Sequence, residues 1–217
     1  MPGISLEATT LPYIALGTVP ILKVSLGETL IWPGFTPIPT TFTTVGSYTY
    51  NIPDGCTFID VILIGGGGGG KGMALFDGWG RGGDAGSWAT ATLQRGVHIP
   101  LSVTQITGVI GAGGAFGDGS ATAGRGGGPG GNTTAIATGW AGLTAAGGAG
   151  GTVVDVLSVA GKSPGDRTYN GQLYVGGAQQ NAGSGNGLAP GGGGAGAQTS
   201  TMDGGAGARG QAWFYAY

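Results

Sequence analysis

Charge, sulfur and imidazole are scarce in this 217-residue chain: 18 residues are charged, and there is one cysteine and one histidine. A lone cysteine, Cys56, excludes an intrachain disulfide, so packing and hydrogen bonds must hold the fold, as suits synthesis in a reducing cytoplasm. The eight bases and ten acids are spread thinly around a net charge of −2. No basic cluster is present to neutralise a row of phosphates, so nucleic acid is not an expected partner. No run nears the ~18 apolar residues that span a bilayer, and Met1-Pro2-Gly3-Ile4 has no basic residue ahead of an apolar stretch, so it does not read as a secretory signal. Helix signals are nearly absent, because glycine or proline interrupts almost every window after residue 65. Low charge combined with 40% hydrophobic residues is not the composition of a disordered chain, and the sequence is expected to fold.

Glycine is what the chain has in excess: 54 residues, 48 of them after Ile64. Seven of the eleven prolines precede that point. The first stretch predicts a small β unit, with Ile21 to Leu26 and Thr29 to Trp32 as a hairpin about Gly27-Glu28 and Pro33 to Pro39 as a stiff linker. Thr40 to Thr44 and Tyr48 to Pro53 have strand composition. Thr57 to Ile64 is the strongest strand signal, apolar enough to be buried on both faces. Ser87 to Leu93, Ile99 to Val109, Asn132 to Ile136 and Ala212 to Tyr217 follow, the last an aromatic terminal strand suited to insertion into a sheet formed upstream. The expected fold class is all-β: a small N-terminal β-hairpin unit over residues 1–36, then a glycine-rich β-sandwich over 37–217 with long polyglycine loops.

Ordering so many glycines costs roughly 0.5–1 kcal/mol each relative to alanine. Either they lie in mobile loops, or the missing side chains permit backbone-to-backbone packing of the polyproline II type, which needs glycine at every third packed position. Gly111, Gly114 and Gly117 keep that spacing, as do Gly124, Gly127 and Gly130, but the frame then breaks and proline is scarce, which excludes collagen. The expectation is a β framework with closely packed glycine loops, some of them polyproline II-like.

Chemistry-bearing motifs are weak. Gly65 to Gly72 has phosphate-loop spacing through Lys71, but Gly72 stands where Ser or Thr is required and glycines follow where a helix must begin. His98 lies in a strand-like setting, and nothing orients a Cys56-His98 pair. One His and one Cys do not make a zinc site. Asp77, Asp84, Asp118 and Asp203 read as turn caps before weak calcium ligands, and Asn132-Thr133-Thr134 as a glycosylation acceptor without a secretory route. No enzyme activity, metal or cofactor is expected. The loop aromatics are more suggestive: Phe76, Trp79 and Arg81, then Phe116 with Asp118, and Tyr169, a mix suited to stacking on sugar rings and bonding hydroxyls.

The run from Thr41 through Pro53, then Ile59 to Ile64 into six glycines, resembles the glycine-rich domain of minor tail proteins from phages of mycobacteria and other actinobacteria. Gly139 to Gly148, Pro190 to Gly196 and Gly207 to Phe214 add to the likeness, which covers about residues 40–217. The resemblance implies a homotrimeric virion component at the tail tip, contacting other tail proteins and a host envelope glycan or glycolipid. Residues 1–36, with Leu22, Val24, Leu30 and Trp32, would dock it to the tail. It offers no catalytic motif. Two rival expectations are a purely structural tail-assembly role and an ice-binding polyproline II bundle.

Overall fold

The computed structural model describes residues 14–16, 19–21, 24–26, 29–32 and 35–217, in two compact units, Met1–Pro37 and Ile38–Tyr217. The first unit holds β1 (Ile14–Leu16), β2 (Val19–Ile21), β3 (Val24–Leu26) and β4 (Thr29–Trp32), paired as two antiparallel hairpins. Val24 lies opposite Trp32 across an irregular register. Val24 is half-buried. Leu22 and the side chains of Leu30 and Trp32 lie outside the described residues.

The second unit is all-β, with no helix among the described residues. Its strands are β5 (Ile38–Phe42), β6 (Gly46–Asn51), β7 (Phe58–Ile64), β8 (Trp88–Gln94), β9 (Gln105–Ile110), β10 (Thr133–Ala137), β11 (Trp140–Ala145), β12 (Arg167–Tyr169), β13 (Gln172–Tyr174) and β14 (Gln211–Ala216). One antiparallel sheet runs β5-β14-β7-β8 and the other β11-β10-β9-β6, with β12-β13 a separate hairpin. The terminal strand inserts between β5 and β7, with Phe214 opposite Val61 and Thr40. Phe214 stacks on Tyr50 at 4.2 Å, which brings the two sheets face to face. The other face of β7 is covered by the β12-β13 hairpin. There buried Asp60 accepts hydrogen bonds from Thr92 Oγ1 (2.6 Å) and Asn170 Nδ2 (2.9 and 3.0 Å), and Tyr174 meets Trp213 edge-on. That double cover explains why Ile59 to Ile64 is buried without alternation.

Beyond β7 the glycines form a bundle of extended segments. Residues 65–73 run through its centre with threefold periodicity. The amides of Gly66, Gly69 and Gly72 donate to the carbonyls of Gly131, Gly128 and Arg125; those of Gly67, Gly70 and Met73 to Ala208, Gly205 and Met202; those of Gly65, Gly68 and Lys71 to Ser87, Asp84 and Arg81, all at 2.8–3.1 Å. Partner numbers fall as central numbers rise, so these three neighbours are antiparallel. Three parallel neighbours donate in return: Gly148 and Gly151 to Gly66 and Gly69, Gly114 and Gly117 to Gly67 and Gly70, Gly194 and Ala197 to Gly68 and Lys71. Every amide and carbonyl of residues 66–71 is thereby paired, which a buried backbone requires. Bonds such as Gly127 to Gly151, Gly204 to Gly117 and Gly83 to Gly194 close the six outer segments into a ring.

Three residues per turn is polyproline II geometry, here bonded between segments because the helix has no internal hydrogen bonds. The closely packed alternative is thus the one adopted. A Cβ on any of Gly65 to Gly70 would come closer than 3.0 Å to a neighbour's backbone carbonyl. Positions 65–70 therefore need glycine throughout, whereas the outer segments need it where they face the centre or one another, as Gly113 faces Gly207, and carry exposed Ala115, Phe116 or Asp118 between their glycines.

Candidate contact surface at the far end of the glycine bundle

The unit has two poles. At the sheet pole, Ile38 pairs with Ala216, and the amides of Thr57 and Phe58 donate to the Tyr217 carbonyl. From Phe58 the chain rises about 3.4 Å per residue through β7 and about 3.1 Å per residue through the glycines, so Met73 stands about 50 Å away. The far pole is built from turns at the ends of the segments, at residues 73–80, where the central segment passes into an outer one, and at 118–125, 152–158 and 198–203.

Large apolar side chains are left open there. Phe76 is 94% and Leu157 92% exposed, and Leu75, Trp79, Val153, Val154, Val156 and Met202 are exposed as well. Backbone bonds hold the turns together: Asp155 N to Trp79 O and Arg81 N to Val153 O at 3.0 Å, Met73 N to Met202 O at 3.0 Å, and a Gly80–Val154 bridge. Ser158 and the Leu157 amide bond the Asp155 carboxyl and hold it below the usual carboxylate range, which fixes the turn carrying Val156 and Leu157.

Beside this surface lies a cleft of about 460 Å³ lined by Lys71, Ala74, Phe76, Asp77 and Ala121 to Gly124. Lys71 is buried, its Nζ donating to Gly72 O (3.1 Å), Gly124 O (3.0 Å) and Asp77 Oδ2 (3.2 Å). The lysine of the phosphate-loop spacing is therefore tied into the wall, and an extended segment follows it instead of a helix.

The residues singled out from sequence separate. Phe76 and Trp79 belong to the far pole. Phe116 is exposed on the outer segment 111–120, and Asp118, 3.9 Å from Arg125, closes the base of the turn that walls the cleft. Arg81 directs its guanidinium to Asp84 at 2.9 Å, along the flank. There burial would raise the Asp84 carboxyl, but Lys162 and Arg81 outweigh it and hold Asp84 below its usual range. Tyr169 sits near the other pole, its hydroxyl 3.0 Å from Thr92 Oγ1 in the network around Asp60. Sequence reading missed Leu75, Met202 and the run Val153 to Leu157. Four aliphatic residues in that five-residue run, uninterrupted by glycine, were the available signal. Of the chemistry-bearing pair, Cys56 is buried, with its thiol pushed up by that burial, and His98 accepts the Gln94 amide through Nδ1 at 2.9 Å.

Sheets, bundle and open pole together define a glycine-rich all-β module with exposed apolar side chains at one end. The model of the glycine-rich domain family matches residues 42–217, and the chain belongs to that family. It is similar over its whole length to the Gene 32 protein of Mycobacterium phage L5, at 71% identity over 220 residues, and to the Gene 32 protein of Mycobacterium phage D29, at 55% over 224; each match covers 100% of both chains. It is a phage glycine-rich protein.

Proposed function

We propose that the chain is a minor tail protein of the virion whose glycine-rich unit contacts the host cell surface through its far pole, without catalysing a reaction. The observation that carries this reading is the cluster of exposed apolar side chains around Phe76, Trp79 and Leu157, opposite the pole where the chain enters the unit. Contiguous exposed apolar surface on a soluble module marks an interaction site. The bundle lets the pole be stiff with few side chains. Residues 1–36 attach the protein to neighbouring tail proteins in this reading.

Leu157→Ser and Val156→Ser test it, because both residues are exposed and their loss should change stability by less than about 0.5 kcal/mol. Binding of the purified variant to mycobacterial host cells should fall, and virions carrying it should adsorb more slowly while assembling normally. Normal adsorption with impaired assembly would move the surface to tail-internal contacts. An ice-binding role fits the bundle less well, since its flanks carry Phe116, Asp118, Arg125, Asp84 and Lys162 instead of a flat repeated row of one residue type.

A further inference from the structure

We propose that the cleft beside Lys71 is a saccharide site, taking the end of a neutral, hydroxyl-rich glycan; this rests on the surface-contact reading above and names its ligand class. Three features of the cleft select for such a ligand.

The first is its charge balance. An ammonium has three donors, and all three of Lys71 are engaged, two by carbonyls and one by Asp77. Neither a donor nor a net positive charge is left for a phosphate or carboxylate, so an anionic ligand gains nothing. The second is the acceptor. Asp77 Oδ2 takes Lys71 and Oδ1 takes the Gly78 amide at 3.1 Å, which fixes the carboxylate, yet its side chain is 34% exposed and each oxygen retains a lone pair. A carboxylate fixed in this way is suited to accept hydroxyl donors. The third is the pairing of that acceptor with Phe76, whose open ring lines the same cleft as the hydroxyl-bearing Thr122. A ring face beside a fixed carboxylate suits a sugar, which presents C–H groups on one side and hydroxyls at its edge.

The walls are tied together before any ligand arrives. Lys71 joins the central segment to Gly124, Ala74 bridges to Ser120, and Ser120 Oγ accepts the amides of Ala123 (2.9 Å) and Thr122 (3.3 Å) while donating to Ala123 O (2.7 Å). Little ordering remains to oppose binding. Ala74, Ala121 and Ala123 keep the cleft open, and 460 Å³ falls within the usual range for small-ligand sites.

The test is isothermal titration of the full chain with free glucose, galactose, mannose, arabinose and N-acetylglucosamine at up to tens of millimolar, with inorganic phosphate and phosphatidylcholine vesicles as the anion and lipid probes. At least one sugar should bind, and neither phosphate nor vesicles should. Phe76→Ala should weaken the sugar about three- to tenfold, Phe76→Tyr should restore it, and Thr122→Ala should weaken it less than Phe76→Ala. These exposed positions leave folding intact, whereas Asp77→Asn also strips Lys71 of its counter-charge and serves only as a supporting variant. No sugar binding, sugar binding indifferent to Phe76→Ala, or binding of phosphate or vesicles alone would overturn the proposal. Host-cell binding separates the two readings. Cells bound without any sugar binding defeat the saccharide site alone, and sugar bound without any cell binding defeats the surface-contact reading alone.

Discussion

Gly127 and Gly128 are neighbours in sequence with opposite roles, and alanine at each should separate the bundle from generic glycine effects. A Cβ at Gly127 would come closer than 3.0 Å to the Gly69 carbonyl, with Gly70 O at 2.8 Å; a Cβ at Gly128 would meet nothing nearer than Ala115 N at 3.3 Å. The atoms facing Gly127 are backbone on the central segment, so no rotamer change relieves the clash. Segment 125–131 must move outward, straining Gly127 N to Gly151 O and Gly69 N to Gly128 O, both 2.9 Å. Overpacking costs about 1–3 kcal/mol, and two weakened hydrogen bonds add about 0.5–1.5 kcal/mol each. Alanine returns about 0.4–1 kcal/mol at either site by restricting the unfolded chain. Gly127→Ala should thus lose about 1–5.5 kcal/mol net, and Gly128→Ala should stay within about 1 kcal/mol of the parent. At about 2–4 °C per kcal/mol for a chain of this size, Tm falls by about 2–22 °C in the first and shifts by under about 4 °C in the second. Thermal and urea denaturation of the two purified variants decide it. Equal losses, or a greater loss at Gly128, would refute the six-around-one packing.

The tyrosine pair facing Phe214 should split in a similar way: Tyr48 donates its hydroxyl to Thr134 O at 2.7 Å, whereas the buried Tyr50 hydroxyl has no partner among the described residues. Tyr48→Phe should cost about 1 kcal/mol and Tyr50→Phe should be neutral or stabilising by about 1 kcal/mol, read as urea midpoints; the opposite order would contradict the assigned contacts. Asp84, held below its usual range despite burial, stabilises the fold above the ordinary carboxylate pKa of about 3.9 and loses that contribution as pH falls through its lower folded value. The stability gap between the parent and Asp84→Asn should be full near neutral pH and shrink in acid, and a gap constant with pH would show that the Lys162 and Arg81 contacts do not act on its charge.

The strands legible in the sequence were those whose composition is decided locally. β7 and β14 are aliphatic and aromatic runs with no glycine, and both form where the sequence puts them, with β14 inserted as its terminal aromatics suggested. β9 starts at Gln105 and not at Ile99, because Ile99 bridges to Arg95 across a tight turn and Pro100 follows. β11 was missed because Gly142, at φ +90°, interrupts its composition. The β12-β13 hairpin had a readable signal that loop aromatics obscured. Asn170-Gly171 is a favoured two-residue hairpin turn, and both residues take the positive φ it requires, 46° and 77°. Reading Tyr169 as a loop aromatic therefore overlooked a hairpin whose turn residue, Asn170, bonds buried Asp60.

The bundle was half legible, for a reason that lies in its geometry. A polyproline II segment at the rim shows glycine with period three, as Gly111, Gly114 and Gly117 do, but a segment packed on all three faces shows glycine everywhere and no period at all. The six-glycine run looks like a featureless loop because it is the most constrained segment of the seven. Its register is set by pairings between segments up to about 140 residues apart, such as Gly67 with Ala208, and no periodicity within one segment can display those. The same geometry bears on the proposed contact surface. Around the central glycines, Gly65 to Gly70, no side chain can be accommodated, so the larger side chains able to recognise a partner lie on the flanks and turns. The far turns are where Phe76, Asp77 and Leu157 are found together with a cleft. Substituting the far turns should thus alter binding with little effect on stability, whereas substituting the central glycines should unfold the stem that carries them.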